Sequence, residues 1–185
     1  MKNLYIIRHA KSSWDDSNLS DIERPLNRRG ENNAGIIANR LKKEKISPDL
    51  FLTSPAKRAL TTANIFAQKL NYPLEKIVVK EEIYEAGIKE LTLVIAGLEN
   101  TYNNVLLFGH NPGLTSFVNF LSNKPVPHLP TCTVVGLKLN IGSWDKLERY
   151  CGKIFCLRLS ITKRPTRIAI WIMSRIPHAQ PSRNM

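Results

Sequence analysis

The chain of 185 residues is long enough for one domain with a substantial core, and its 43% apolar and 23% charged residues are typical of a globular protein. No apolar run approaches the roughly 20 residues of a transmembrane helix, and residues 2–8 do not have the length or cleavage site of a signal peptide. Three cysteines without CxxC spacing favour neither a disulfide framework nor a zinc site. We therefore expect a cytoplasmic protein that does not associate with membranes.

The formal net charge of +12 is unevenly distributed along the chain. Residues 1–148 carry 19 Lys and Arg against 15 Asp and Glu, a net charge of +4, whereas residues 149–185 carry 8 basic residues and no acidic one. A mildly basic body suits an anionic substrate as well as it suits nucleic acid. The sequence predicts one domain over residues 1–148 and a basic C-terminal segment over 149–185, atypical or disordered, with an alternating stretch at 167–172 that could form an edge strand.

Short apolar runs alternate with amphipathic helical patterns along the chain. The runs that predict strands are Leu4–Ile7, Asp49–Thr53, Ile77–Val79, Val105–Phe108 and Cys132–Leu139. Between these strands, apolar residues at helical spacing predict helices around Ala34–Leu41, Leu60–Leu70, Leu91–Leu98 and Leu114–Leu121. This alternation predicts an α/β fold of three layers, in which helices flank a largely parallel sheet.

Polar residues follow three of the predicted strands. Arg8 and His9 follow the first strand, Ser54 and Arg58 follow the second, and His110 follows the fourth. Because the carboxyl ends of parallel strands meet at one edge of a sheet, we expect these side chains to converge. Ser54 is predicted to be the N-cap of the second helix. A cation such as Arg58 in the first turn is unfavourable against the helix dipole, which indicates another task, such as holding an anion.

The predicted convergence suits phosphoryl transfer. Arg8 and Arg58 offer planar, bidentate donors for phosphate oxygens, and a histidine nitrogen can attack phosphorus to form a covalent phosphohistidine. The arginines disfavour a bound cation, and no cluster of acids or thiols accompanies the histidines, so the sequence predicts no metal and no cofactor. A GxxxxGK[ST] loop is absent from the sequence, which argues against a P-loop nucleotide enzyme.

Several separate motifs occur in the order found in one enzyme family. Arg8-His9-Ala10, Ser54-Pro55 with Arg58, and the segment 109–113 resemble the histidine phosphatase superfamily. Features that narrow the resemblance to its SixA-type phosphohistidine phosphatases are Ala10, the loop 11–14, the segment 21–26 with Gly30, and Tyr84-Glu85-Ala86. The resemblance covers about residues 3–145 and implies a phosphoglycerate mutase-like fold.

The resemblance also implies roles for individual residues. His9 would be the nucleophile that is transiently phosphorylated, and Arg8, Arg58 and His110 would form the phosphate pocket. His110 would donate a hydrogen bond to a phosphoryl oxygen.

The proton donor is less sharply defined by the resemblance. Glu85 best fits the position of a glutamate that follows the third strand, with Glu81 and Glu82 as competitors and a solvated acidic turn as the alternative for all three. Ser12 and Ser13 would add hydrogen-bond donors for the substrate.

These roles favour a metal-independent phosphatase that acts on phosphohistidine in a protein, such as a phosphorelay or phosphotransfer carrier. The short linker before Glu85 leaves little sequence for a lid, which favours an open site. Hydrolysis of a small phosphate ester is the alternative within enzymes. A non-catalytic basic protein that binds phosphoprotein or nucleic acid is the alternative of another class; the basic residues after position 148 are its main support, and nucleic acid is the less favoured partner.

Overall fold

The computed structural model of the protein describes residues 1–158. The edge strand expected at 167–172 and most of the basic C-terminal segment lie outside the described residues. Within residues 1–158, no helix has the length and apolar character needed to cross a membrane.

Six strands form one sheet, in the spatial order β3-β2-β4-β1-β5-β6. The strands are β1 (Lys2–Arg8), β2 (Leu50–Thr53), β3 (Val78–Val79), β4 (Asn104–Gly109), β5 (Val134–Leu139) and β6 (Gly152–Arg158). The four strands from β3 to β1 run parallel, whereas β5 is antiparallel to β1 and β6 is antiparallel to β5. The α-helices are α1 (Arg28–Lys43), α2 (Lys57–Leu70), α3 (Ile88–Ala96) and α4 (Gly113–Leu121).

Helices cover both faces of the sheet. Because successive residues of a strand point to opposite faces, each central strand contributes side chains to two cores. In β1, Tyr5 and Ile7 pack into the core formed with α1 and α2, while Leu4 and Ile6 pack into the core formed with α3 and α4. Phe108 of β4 belongs to the α1/α2 side as well. This arrangement confirms the predicted α/β fold with three layers.

The register of the parallel strands brings their carboxyl ends to the same level. Arg8 pairs with Gly109 across β1 and β4, and the His9 main-chain N–H donates to the Gly109 carbonyl at 3.1 Å. On the other side of β4, the Ser54 main-chain N–H donates to the Phe108 carbonyl at 3.1 Å. The residues that follow β1, β2 and β4 are therefore neighbours at one edge of the sheet.

Strand β6 was not predicted from the sequence. It extends the sheet beyond residue 148 by pairing with β5, with a register irregularity between Gly136 and Leu137. We therefore propose that the domain runs at least to Arg158 rather than ending at 148.

The prediction that Ser54 is the N-cap of the second helix was wrong. Helix α2 begins at Lys57 with Ala56 as its N-cap. The Ser54 hydroxyl instead accepts a hydrogen bond from the Ala56 main-chain N–H at 3.3 Å and lies 2.8 Å from His110 Nε2. Ser54 thus belongs to a turn that precedes the helix and faces the neighbouring strand end.

Candidate active site

His9 lies directly after β1 and is only 7% exposed. Its Nδ1 donates a hydrogen bond to the Ala10 carbonyl oxygen at 2.7 Å, because a carbonyl can only accept. Burial lowers the pKa of His9 to about 4, aided by the nearby Arg58 and Arg8 cations and opposed by the Ala10 hydrogen bond. The ring is therefore neutral at pH 7, with its lone pair on Nε2, which is the form that a nucleophile requires.

Arg8, the last residue of β1, is held by a loop beyond α4. Its Nη1 donates to the Leu129 carbonyl at 2.8 Å and contacts His128 Nε2 at 3.1 Å. Arg8 Nε is buried and has no hydrogen-bond partner within residues 1–158. His128 was not predicted to belong to the site, since one histidine in a proline-rich connector carries no recognisable chemical pattern.

Arg58, in the first turn of α2, is 6% exposed and pairs with Asp21. Its Nη2 lies 2.7 Å from Asp21 Oδ2, and its Nη1 donates to the Asp21 main-chain carbonyl. The Asp21 carboxylate also accepts hydrogen bonds from the Tyr84 hydroxyl and from Arg24 Nη1, each at 2.9 Å. Burial raises the pKa of Asp21, but the hydrogen bonds from Arg58, Tyr84 and Arg24 outweigh this effect and bring it to about 2. Asp21 therefore fixes the Arg58 guanidinium.

His110 follows β4, and its ring centroid lies 5.1 Å from that of His9. Its Nε2 is 2.8 Å from the Ser54 hydroxyl, while its Nδ1 is buried without a hydrogen-bond partner in the described part of the chain. Burial lowers the pKa of His110 to about 3, with further lowering by His9 and Arg58. His110 is thus a second neutral imidazole beside the first.

Arg58 and His110 line a cleft of about 650 Å³ between α2, α4 and the turn before α3, whereas Arg8 and His9 are not among its lining residues. The lining residues are Asp21, Arg58, Glu85, Ala86, Gly87, Ile88, His110, Asn111, Pro112, Gly113 and Ser116. Close packing shapes one wall, since a Cβ at Gly113 would lie 1.8 Å from the Ala86 carbonyl oxygen. Arg58 is the only cation among the lining residues.

Of the three candidate acids, only Glu85 lines this cleft. Its backbone is left-handed, with φ of 52°, a conformation that is uncommon for a residue with a side chain and is found preferentially at functional sites. Glu81 and Glu82 lie in the preceding 3₁₀ turn and are exposed.

Ser12 and Ser13 have other partners than the expected phosphate. The buried Ser12 hydroxyl accepts a hydrogen bond from Arg24 Nη2 at 2.7 Å, and the Ser13 hydroxyl donates to Asp15 at 2.5 Å. Neither serine lines the cleft. Arg24 in turn lies over the ring of Trp14, 3.1 Å from its centroid. The two serines therefore help to organise the loop after β1, and their expected role as hydrogen-bond donors to the substrate stays a prediction.

The fold and the site define a class of α/β protein that is suited to holding a phosphoryl group. Arg8 Nε and His110 Nδ1 are buried polar atoms without a protein partner in residues 1–158, and Arg58 lines the same cleft as His110 with its orientation fixed by Asp21. Guanidinium groups and neutral imidazoles suit phosphate oxygens better than a metal cation. No three His, Cys, Asp or Glu side chains converge as metal ligands among the described residues.

The family model of the histidine phosphatase superfamily (branch 1) matches residues 4–92. The chain is similar to this superfamily over residues 4–92, a range that contains Arg8-His9-Ala10 and Ser54-Pro55 with Arg58, and this match supports the resemblance based on the motifs.

Individual relatives differ in how much of their length the chain matches. An uncharacterized chloroplastic protein of Arabidopsis thaliana is 28% identical over 82% of this chain and 72% of its own length. Phosphoglycerate mutase 1 of Saccharomyces cerevisiae is 35% identical, but the match spans only 37% of this chain and 29% of the mutase. The solved structure of the protein histidine phosphatase SixA complexed with tungstate superposes with a TM-score of 0.73 at 24% identity, covering 85% of this chain and 96% of SixA. The two proteins therefore share a fold.

Proposed function

We propose that the protein removes the phosphoryl group from phosphohistidine in a partner protein, through a covalent phosphohistidine at His9. The observation that carries this proposal is the charge of the cleft that would receive the leaving group. Apart from Arg58, which is already paired with Asp21, its lining is neutral or acidic. Such a lining suits an imidazole, which is neutral or cationic when it leaves.

In the first step, Arg8, Arg58 and His110 hold the phosphoryl oxygens while His9 Nε2 attacks phosphorus. The bond between phosphorus and the substrate nitrogen breaks as the bond to His9 forms, and the departing imidazole nitrogen takes a proton from Glu85. Fixed guanidinium and imidazole donors stabilise the charge on the equatorial oxygens in the transition state.

In the second step, a water molecule attacks phosphorus on phosphorylated His9. The water proton passes to the Glu85 carboxylate formed in the first step, and the bond between phosphorus and His9 breaks. Inorganic phosphate leaves, and His9 and Glu85 return to their starting protonation states.

A small phosphate ester is the second candidate, favoured by the sequence similarity to a phosphoglycerate mutase. A phosphoglycerate carries a carboxylate in addition to its phosphate. In the cleft, that carboxylate would meet no unpaired cation among the lining residues, because Arg58 is already paired with Asp21. Removing a carboxylate from water without a cationic partner is unfavourable, so this lining supports phosphohistidine over such an ester.

Access to the cleft supports a protein substrate. Residues 71–87, between α2 and α3, form two 3₁₀ turns and the short strand β3, so this connection contributes no inserted lid. The solved structure of SixA is described as that of a protein histidine phosphatase, which agrees with a phosphorelay or phosphotransfer carrier as the partner.

The test compares turnover of a phosphohistidine carrier protein with turnover of 3-phosphoglycerate and phosphoserine. We expect kcat/KM for the carrier to exceed that for both esters, and a preference for either ester would overturn the proposed substrate. Turnover that His9→Ala abolishes would also exclude a purely binding function.

The role of Glu85 is tested with a matched pair of variants. Glu85→Gln should slow hydrolysis of any ester more than hydrolysis of phosphohistidine, because an alkoxide needs the proton more than an imidazole does. Glu82→Gln makes the same change on an exposed residue outside the cleft and should leave both rates near the wild-type values.

A further inference from the structure

Ser54 connects the ends of two strands through its side chain. It follows β2 and is fully buried. Its hydroxyl oxygen lies 3.3 Å from the Ala56 main-chain nitrogen and 2.8 Å from His110 Nε2. These are the only hydrogen-bond contacts of the hydroxyl within residues 1–158.

The chemistry of these contacts sets the direction of each hydrogen bond. The Ala56 N–H can only donate, so the Ser54 oxygen accepts from it. The hydroxyl hydrogen then has one acceptor within reach, Nε2 of His110. If Nε2 carried a hydrogen of its own, the Ser54 oxygen would accept twice and its buried hydroxyl hydrogen would have no acceptor, which is strongly unfavourable.

We infer that Ser54 is a positioning residue, whose hydroxyl donates to His110 Nε2 and fixes the neutral ring as the tautomer that carries its proton on Nδ1. Nδ1 is the ring nitrogen that is buried without a partner in the described chain. With the proton there, His110 presents an N–H that a phosphoryl oxygen can accept.

The tautomer matters because burial lowers the pKa of His110 to about 3, so the ring has a single N–H at pH 7. The opposite tautomer would direct the lone pair of Nδ1 at the anion and repel it. The catalytic consequence of this assignment rests on the proposed function, whereas the tautomer itself is a property of the free protein.

The experiment measures ¹⁵N chemical shifts of the imidazole nitrogens in the full-length, histidine-labelled protein at pH 7, with His110→Gln to assign the resonances. We expect the proton on Nδ1 in the wild type. Ser54→Ala should shift the population toward the Nε2–H form by about tenfold, the effect of one hydrogen bond, and Ser54→Thr should restore the wild-type pattern.

Ser122→Ala is the matched control for these variants. The Ser122 hydroxyl is also buried and accepts from a main-chain N–H two residues on, that of Lys124 at 3.1 Å, but it does not contact any of the three histidines within residues 1–158. It should leave the His110 shifts unchanged. Circular dichroism establishes that each variant is folded.

A wild-type His110 with its proton on Nε2, or an unchanged tautomer in folded Ser54→Ala, would overturn the inference. In kinetics, kcat/KM on the phosphohistidine carrier should fall about tenfold in Ser54→Ala and recover in Ser54→Thr. If the Nδ1–H tautomer is present but the wild type does not turn over this carrier, the proposed substrate is wrong and the assignment of Ser54 stands.

Discussion

The pairing of Asp21 with Arg58 leads to a quantitative prediction about stability. Asp21→Asn keeps the size of the side chain but removes its charge, and the amide nitrogen cannot accept from Arg58, Tyr84 or Arg24. In the folded protein, the pKa of Asp21 falls from its ordinary 3.8 to about 2. At 1.36 kcal/mol per pKa unit, this difference corresponds to at most about 2.5 kcal/mol. Because the side chain is 46% exposed, solvent screening reduces the expected loss of unfolding free energy to about 1 kcal/mol.

The pH dependence follows from the direction of the pKa change. A carboxyl group whose folded-state pKa is lowered stabilises the protein above its unfolded-state pKa and loses that contribution as the pH falls toward the folded-state value. The stability difference between wild type and Asp21→Asn should therefore be complete at pH 7. It should be about half as large at pH 3, between the two pKa values.

Urea denaturation at pH 7 and at pH 3 measures these differences directly. The control is Asp16→Asn, which makes the same charge change in the same loop, where Asp16 accepts one hydrogen bond from the Asn18 main-chain N–H. This variant should remain within about 0.5 kcal/mol of the wild type. Equal losses for the two variants, or a loss at Asp21 that grows as the pH falls, would refute the reasoning.

Three further predictions concern the walls of the site and its nucleophile. Gly113→Ala places a Cβ 1.8 Å from a main-chain oxygen and should lower the unfolding free energy by about 3 kcal/mol or more, measured by thermal unfolding. Gly35→Ala is the control, because a Cβ at Gly35 would have no atom within 4 Å, and this variant should be as stable as the wild type or slightly more stable. His128→Ala removes one of two acceptors of Arg8 and should raise KM about threefold with little change in kcat, as steady-state kinetics would reveal. The pKa of His9 is lowered to about 4, so NMR should detect no titration of its ring near pH 6.5. Because a protonated ring cannot attack phosphorus, kcat/KM should be lost as the pH falls below about 4.

The sheet was predictable where its strands are buried on both faces. The apolar run that ends at Arg8 is buried from Leu4 to Ile7, and such a run has few other interpretations. Strand β6 escaped prediction because it lies at the edge of the sheet, where Lys153 and Phe155 are exposed while Cys156 and Leu157 are buried. Its apolar pattern is therefore weak, and its pairing with β5 depends on tertiary structure.

Only those site residues that directly follow a strand could be placed from the sequence. The positions of His9 and His110 follow from parallel strands in register, which local sequence patterns indicate. The Asp21 contact with Arg58 joins residues 37 positions apart through a loop that folds back over α2. The same loop provides Ser12 with Arg24 as its partner, a contact between residues 12 positions apart that no local sequence pattern indicates.

The central claim is that His9 Nε2 carries the phosphoryl group during turnover. Rapid quench with a phosphohistidine carrier labelled on its phosphate tests this claim most directly, with the quenched enzyme digested under alkaline conditions and mapped for the modified residue. We predict transient label on His9 that forms and decays at rates compatible with kcat, and that is absent in His9→Ala. Turnover without label on His9, or label on another residue, would contradict the mechanism.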